Sequence, residues 1–219
     1  MKTKFLHIAT ALLFAGFTSS CSDFLDRYPL DELSDSSFWK TENDAMMAVT
    51  DIYGCLPTWD QDEDINSDNA VHGIKWAAGN ISKGVYDPMD QSWAGSYTPI
   101  RQCNLVLEKV KDIEMSDESR KKIEGQAYFF RAFVYFNLIR SFGDVPYIDK
   151  PLNLTDVEDI TRTPREEVYA KVMADFDKAI EYLPEEWDAA NTPRVTKGAA
   201  LAMKARAALY YNNWQVAAD

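Results

Sequence analysis

Histidine, cysteine and basic residues are scarce in this chain. Its 219 residues include two histidines and three cysteines, and 35 acidic residues outnumber 23 basic ones, for a formal net charge of −12. Nucleic-acid binding needs clustered Lys and Arg, so this balance argues against a nucleic-acid partner. His72 is the only histidine beyond the first 20 residues. With no histidine pair, no nucleophile motif and no glycine-rich phosphate loop, the sequence contains no positive sign of catalysis.

Long apolar runs are also absent, and no segment is long and apolar enough to be a transmembrane helix. The apolar run Phe5–Gly16 is too short to span a bilayer, and it follows the basic residues Lys2 and Lys4. This pattern predicts a targeting leader over residues 1–20. Small residues then precede Cys21, in an order that resembles a lipobox, where the thiol is acylated and becomes the new N-terminus. We expect Cys21 to anchor the chain to a membrane by lipid, and a plain secreted protein is the less favoured alternative. Loss of two basic residues with the leader would leave a net charge of −14.

The other two cysteines, Cys55 and Cys103, each fall on a predicted helix face. Neither has a C-x-x-C partner, so zinc and dithiol redox motifs are absent. Export permits disulfides, but a sequence alone does not supply the geometry that a disulfide needs. Two separate thiols, which are favoured, and one disulfide both remain open.

The strongest structural pattern lies between Glu124 and Ile148. Large apolar residues recur there at helical spacing on two adjacent stripes, which predicts a helix buried on several sides. The first stripe contains Phe129, Ala132, Phe133 and Phe136, and the second contains Tyr128, Tyr135, Leu138 and Phe142. Gly143 and Pro146 predict where this helix ends.

Caps and breakers predict further helices on both sides, and the fold class is therefore all-α. The predicted segments run from Thr41 or Asn43 to Leu56, from Trp93 to Val110 with a start or kink at Pro99, from a Thr163 cap to Pro184, over Ala199–Tyr211, and from Gln215 onward. Small and aromatic residues follow tetratricopeptide-like spacings. The matching sets are Tyr128, Ala132 and Tyr135, then Phe176, Ala179 and Pro184, then Ala205, Trp214 and Ala217. Arg131 and Ala208 depart from the repeat. The prediction is a divergent tetratricopeptide-like helical repeat scaffold with a long irregular loop insertion.

That loop insertion lies between Trp59 and Trp93 and has no sustained periodicity. Long loops of this kind are often functional. Trp76, Asn80 and Tyr86 combine flat rings with an amide, a set suited to stacking on a sugar and binding its hydroxyls. Core packing is the competing interpretation for each ring, and for Trp93 it is much the stronger one.

Alternating acids in the same loop, Asp60, Asp62 and Asp64, resemble the start of a calcium loop. Ile65 stands where the sharp turn requires glycine, and Val71 stands where the bidentate glutamate belongs, so an EF-hand is rejected. A looser calcium site is the alternative to a solvated acidic loop. We predict no cofactor and no dedicated metal site.

The helix motif Arg131-Ala132-Phe133 through Tyr135-Phe136, followed by Phe142-Gly143-Asp144-Val145-Pro146, resembles the RagB/SusD family of outer-membrane nutrient-uptake lipoproteins. The order Cys21, Asp23-Phe24-Leu25-Asp26 and Pro29 resembles the mature start of the same family, and the helix at Thr163–Tyr169 is also similar. The resemblance implies a tether over residues 21–36 and a SusD-like N-terminal helical domain over 37–219, truncated at its C-terminus.

The resemblance also implies a function. Such a lipoprotein captures a glycan or other nutrient and delivers it to a TonB-dependent outer-membrane transporter of the SusC type. It would be anchored by lipid at the outer membrane of a Gram-negative bacterium, exposed at the cell surface. A helical-repeat lipoprotein that binds only proteins is the alternative, and a glycan-degrading enzyme ranks last.

Overall fold

A computed structural model describes residues 38–57, 93–156 and 159–219 of the chain. Internal contacts divide the chain into two units, residues 1–38 and 39–219, and nearly all described residues belong to the second unit. The regular elements of the described ranges are helices, which bears out the all-α prediction. They are α1 (Glu42–Ile52), α2 (Trp93–Lys109), α3 (Asp117–Phe142), α4 (Arg165–Tyr182), α5 (Lys197–Tyr210) and α6 (Trp214–Ala218), with short 3-10 turns at Tyr53–Cys55, Val110–Asp112 and Leu154–Asp156.

Helix α3 is the centre of this unit, as the apolar stripes predict. Half of its 26 residues are buried, and these residues occupy most of its circumference. The helix packs most extensively against α4 and α2, and it also contacts α1 and α5. Ser116 caps its first turn by accepting a hydrogen bond from the backbone N–H of Ser119 at 3.0 Å. Gly143 ends it with a φ of +70°, a region that glycine enters without steric cost.

The start of α1 follows the sequence prediction closely. Thr41 is the N-cap, and its hydroxyl accepts from the N–H of Asp44 at 3.2 Å. The Asp44 carboxylate in turn accepts from the N–H of Thr41 at 2.8 Å, which completes a capping box. The helix is amphipathic and buries Ala45, Val49 and Ile52 against the core.

Helix α2 begins at Trp93, as predicted, and it continues through Pro99, so the alternative start at Pro99 does not occur. One predicted cap is wrong. Helix α4 begins at Arg165, and Thr163 does not cap it. The backbone of Thr163 instead pairs with Val145 in an antiparallel bridge, with N–O distances of 2.9 and 3.2 Å.

The cap of α4 comes from the far end of α3. Asp144, directly after the glycine that ends α3, accepts a hydrogen bond from the backbone N–H of Arg165 at 2.9 Å. A carboxylate at this position satisfies a free N–H group and complements the positive end of the helix dipole. The Phe-Gly-Asp-Val-Pro run therefore ends one helix, starts the next and provides Val145 for the bridge between them.

Helices α3 and α4 approach closely at Gly125. A Cβ atom built on Gly125 would lie 3.0 Å from the Cβ of Tyr182 and 3.1 Å from the Cγ of Leu183. Further along the same contact, the rings of Phe129 and Phe176 meet edge to face with centroids 6.1 Å apart. Glycine therefore permits the helix approach that the aromatic pair then fills.

Candidate functional site

The residues that the sequence singled out for ligand, lipid and calcium lie outside the described residues. They are Trp76, Asn80 and Tyr86 for ligand, Cys21 for lipid, and Asp60, Asp62 and Asp64 for calcium. Their predicted roles therefore stay predictions. Within the described ranges, no group of three or more His, Cys, Asp or Glu residues could hold a metal ion. Over the same ranges, no helix is long and apolar enough to cross a membrane.

Trp93, at the start of α2, is described and has a packing role. Its ring meets Phe142 of α3 edge to face with centroids 4.8 Å apart. The guanidinium carbon of Arg162 lies 5.1 Å from the centre of the same ring, within cation–π range. The half-buried ring thus joins the start of α2 to the end of α3 and to the segment before α4, in agreement with the structural interpretation of this residue.

A cleft of about 390 Å³ lies where the end of α1, the first half of α2 and the middle of α3 meet. We call it the helix-junction cleft. Small-molecule sites occupy roughly 300–1,000 Å³, so this cleft has the size of a ligand site. Its described lining consists of Asp51 from the last turn of α1, Gly54 and Cys55 from the 3-10 turn that follows, Gly95, Ser96, Thr98, Pro99 and Gln102 from α2, and Phe133, Val134 and Asn137 from α3.

The polar groups of the cleft are amides, hydroxyls and one carboxylate. The Gln102 side-chain N–H donates to the carboxylate of Asp51, which ties α2 to α1. The half-buried Asn137 amide makes no hydrogen bond to another described residue. Burial raises the pKa of the Cys55 thiol to about 11, so this cysteine is neutral at physiological pH. Asp51 is therefore the one charged group in the described lining.

Phe133 supplies the aromatic part of the lining. It is partly exposed, and its ring lies nearly parallel to that of Phe129, at 12° and 6.3 Å between centroids. This contact holds the ring in place on α3. An aromatic surface beside amides and hydroxyls is the combination that binds small polar ligands with apolar faces.

A buried polar network joins α2 and α3, two of the helices that form the cleft, to α4. Arg131 of α3 makes a bidentate ion pair with Asp175 of α4, with both N–O distances at 2.7 Å. A third guanidinium N–H of Arg131 donates to Asn104 of α2 at 2.8 Å. Burial pushes the pKa of the Asp175 carboxyl upward, and the hydrogen bonds from Arg131 oppose that rise. Three helices are thus joined through one guanidinium group.

The segment after α3 is held by the same region of α2 and α3. The Asn104 amide donates to the carbonyl of Ile148 at 2.9 Å. Tyr135 accepts from the N–H of Ile148 at 2.6 Å, and Tyr97 donates to the carbonyl of Pro146 at 3.1 Å. Sequence periodicity identified Tyr135 only as an apolar core residue, whereas its hydroxyl also anchors the backbone.

A second polar network anchors the loop between α4 and α5. The Tyr53 hydroxyl donates to the Gln126 side chain at 2.8 Å and accepts from the N–H of Val195 at 2.9 Å. Arg194 donates to Gln126 at 3.2 Å and to Thr50 of α1 at 3.0 Å. These contacts tie α1 and α3 to a loop more than 140 residues from α1 in the sequence.

A smaller cleft of about 180 Å³ lies at the opposite ends of α1 and α3, beside Trp187. Its volume falls below the usual range of small-molecule sites. The Trp187 N–H donates to the carbonyl of Val195 at 2.7 Å, which gives the ring a structural role. We therefore regard the helix-junction cleft as the candidate site of the described part.

Sequence reasoning missed the residues of this cleft. Asp51 and Gln102 lie on exposed and half-buried helix faces, where single polar residues carry no signal of function. Asn137 had a usable signal, because it interrupts the apolar run from Ala132 to Ile139 at the centre of the buried helix. Only the meeting of three helices distinguishes these positions from an ordinary surface.

Comparison with known proteins gives a consistent result. The SusD-like family, described as starch-binding and associating with the outer membrane, matches residues 23–209. SusD-like protein P2 of Formosa agariphila is 29% identical over 100% of this chain and 45% of its own length. The chain therefore spans less than half the length of this relative.

Solved structures share the fold. A SusD-like protein from Bacteroides fragilis is 28% identical and superposes with a TM-score of 0.77, covering 87% of this chain and 39% of its own. A SusD-like carbohydrate-binding protein from the same species is 25% identical with a TM-score of 0.70, covering 83% of this chain and 39% of its own.

Proposed function

This chain belongs to the SusD-like family, and we propose that it is the glycan-capturing part of a lipoprotein that delivers its ligand to a TonB-dependent outer-membrane transporter. This is a family of binding proteins, not of enzymes. The observation that carries the proposal is the family match over residues 23–209, whose description combines starch binding with the outer membrane. The carbohydrate-binding relative from Bacteroides fragilis supports a glycan as the ligand.

The proposal assigns a role to each part of the chain. Residues 1–20 are the leader, Cys21 carries the lipid, and residues 21–36 form a tether. The helices from residue 37 onward form a divergent tetratricopeptide-like scaffold, for which the close α3–α4 contact at Gly125 is the supporting observation. Trp76, Asn80 and Tyr86 provide ligand contacts from the segment between α1 and α2.

Glycan binding by the whole lipoprotein tests the proposal directly. We expect binding to at least one oligosaccharide on a glycan array, confirmed by isothermal titration, with no hydrolysis products. We also expect a TonB-dependent transporter to co-purify with the protein from outer membranes. A protein that binds no glycan but retains a protein partner would instead be a helical scaffold that binds only proteins.

A further inference from the structure

We propose that the helix-junction cleft is a saccharide subsite that selects uncharged glycans over uronic-acid and sulfated ones. The inference rests on the proposed glycan-binding function and adds the location and the chemical class of one ligand contact. It comes from the size of the cleft, from the polar groups that can still bind a ligand, and from the charge of the lining.

The polar groups match the needs of a sugar hydroxyl, which both donates and accepts hydrogen bonds. The amide of Asn137 offers two donors and one acceptor and has no described partner. Gln102 uses an N–H on Asp51, which leaves its carbonyl oxygen able to accept from a ligand. The Asp51 carboxylate adds further acceptor capacity at the same edge.

The aromatic surface matches the other half of a sugar. Phe133 lines the cleft together with Val134 and Pro99, so the lining contains apolar groups as well as the amides and hydroxyls. A pyranose has C–H groups on its faces and hydroxyls around its edge. The cleft therefore offers an apolar contact and a set of directional polar contacts at the same time.

The charge of the cleft decides the class of glycan. Asp51 is exposed and is the one charged residue in the described lining, while Cys55 is neutral. The chain as a whole is also acidic, with a formal net charge of −12. A carboxylate or sulfate on the ligand would meet a like charge, with no cation among the described lining residues to offset it. An uncharged saccharide avoids that repulsion, and its hydroxyl groups can still donate hydrogen bonds to the Asp51 carboxylate.

The experiment compares oligosaccharides of matched length, and it compares the protein with three of its variants. Neutral hexose oligosaccharides, oligouronides and sulfated oligosaccharides are titrated into the full-length lipoprotein and three variants. Asn137→Ala removes the unpartnered amide, and Asp51→Lys reverses the charge of the cleft. Asp51→Lys also removes the hydrogen bond from Gln102, but the fold should tolerate it, because Asp51 is exposed in the last turn of α1, where a cation suits the helix dipole. Glu108→Lys makes the same charge change at an exposed position of α2 outside the cleft.

We expect the protein to bind neutral oligosaccharides, with little dependence on salt. Asn137→Ala should weaken that binding at least about fivefold, as expected for a lost hydrogen bond to an uncharged group. Asp51→Lys should also weaken it and should improve binding of the acidic oligosaccharides, while Glu108→Lys should leave both unchanged.

The outcomes separate this inference from the proposed function. Tighter binding of an oligouronide or a sulfated glycan would overturn the charge selection. If neither Asn137→Ala nor Asp51→Lys changes the affinity for neutral oligosaccharides, the cleft is not a subsite, and the proposed glycan-binding function is unaffected. Absence of any glycan binding would overturn both.

Discussion

Arg131 and Asp175 form a bidentate ion pair between α3 and α4, although 44 residues separate them in the sequence. Both side chains are about 8% exposed, so water screens the pair little. A buried pair of this kind contributes modestly as a whole, but the loss of one partner leaves the other charge buried without compensation. The third contact of Arg131, to Asn104, extends the same constraint to α2.

Removal of one partner should therefore cost far more than removal of an exposed pair. We expect Asp175→Ala to lower the free energy of unfolding by about 3–5 kcal/mol. Glu181→Ala is the matched control, since it breaks the exposed pair with Lys178 on the same helix and should cost at most about 1 kcal/mol. Chemical denaturation of both variants measures the difference. Equal effects would mean that the buried pair is not a structural constraint.

This pair also shows where sequence reasoning stops. Arg131 is visible in the sequence as a departure from the repeat pattern, yet nothing within a helical turn of it reveals its partner. Gly143, in contrast, was identified correctly, because it acts on its own helix within a few residues. Local signals therefore located the central helix, whereas long-range pairing of polar groups had to come from the structure.

The error at Thr163 has the same origin. Thr163-Pro164 is a reasonable helix start by local rules, but Asp144, 21 residues before Arg165, accepts from the N–H of Arg165 and replaces the cap. The candidate cleft is a stronger case, because its residues come from three helices that no local pattern relates. The resemblance to a family led to the proposed function, whereas the cleft is visible only in the packed helices.

Ala132 tests the packing of α3. It is completely buried, so a larger side chain must displace its neighbours. We expect Ala132→Leu to destabilise the protein by about 1–3 kcal/mol through overpacking. Ala174→Leu, at an exposed position of α4, makes the same substitution in a helix without that constraint and should change stability little. Thermal unfolding of both variants gives the comparison, and an unchanged midpoint for Ala132→Leu would contradict the burial.

The two described cysteines are free thiols, with Cys103 buried and Cys55 half-buried. Burial raises the pKa of Cys55 to about 11. Its thiolate fraction at pH 8 should therefore be roughly a hundredfold below that of an unfolded cysteine. Because the thiolate is the nucleophile, alkylation of native Cys55 should accelerate about tenfold for each pH unit between 8 and 10. Cys103 should react only after unfolding. Mass spectrometry of pulse-alkylated protein, with and without denaturant, measures both rates, and equal native and denatured rates would contradict the burial of Cys55.

Cys21 is the predicted site of lipid attachment. We expect Cys21→Ser to abolish incorporation of labelled palmitate and to release the protein from the membrane fraction. Cys55→Ser is the control, because it removes a thiol from the helical domain and should leave labelling intact. Palmitate labelling that persists in Cys21→Ser would show that Cys21 is not the site of lipid attachment.

Trp76 decides whether the segment between α1 and α2 contributes to ligand binding. If its ring stacks on a sugar, Trp76→Ala should weaken glycan binding by about 1 kcal/mol or more, as judged from aromatic contact energies, and should leave thermal stability nearly unchanged. If the ring packs in the core instead, the same substitution should lower the free energy of unfolding by about 3–5 kcal/mol.

Trp187 provides the comparison, because its ring is half-buried and its N–H donates to the carbonyl of Val195 at 2.7 Å. Trp187→Ala should therefore behave as the structural case, with lower stability and unchanged glycan affinity in the protein that remains folded. Isothermal titration and thermal unfolding of the two variants separate the roles. Loss of a ligand-binding tryptophan lowers the glycan affinity, whereas loss of a packing tryptophan lowers the stability.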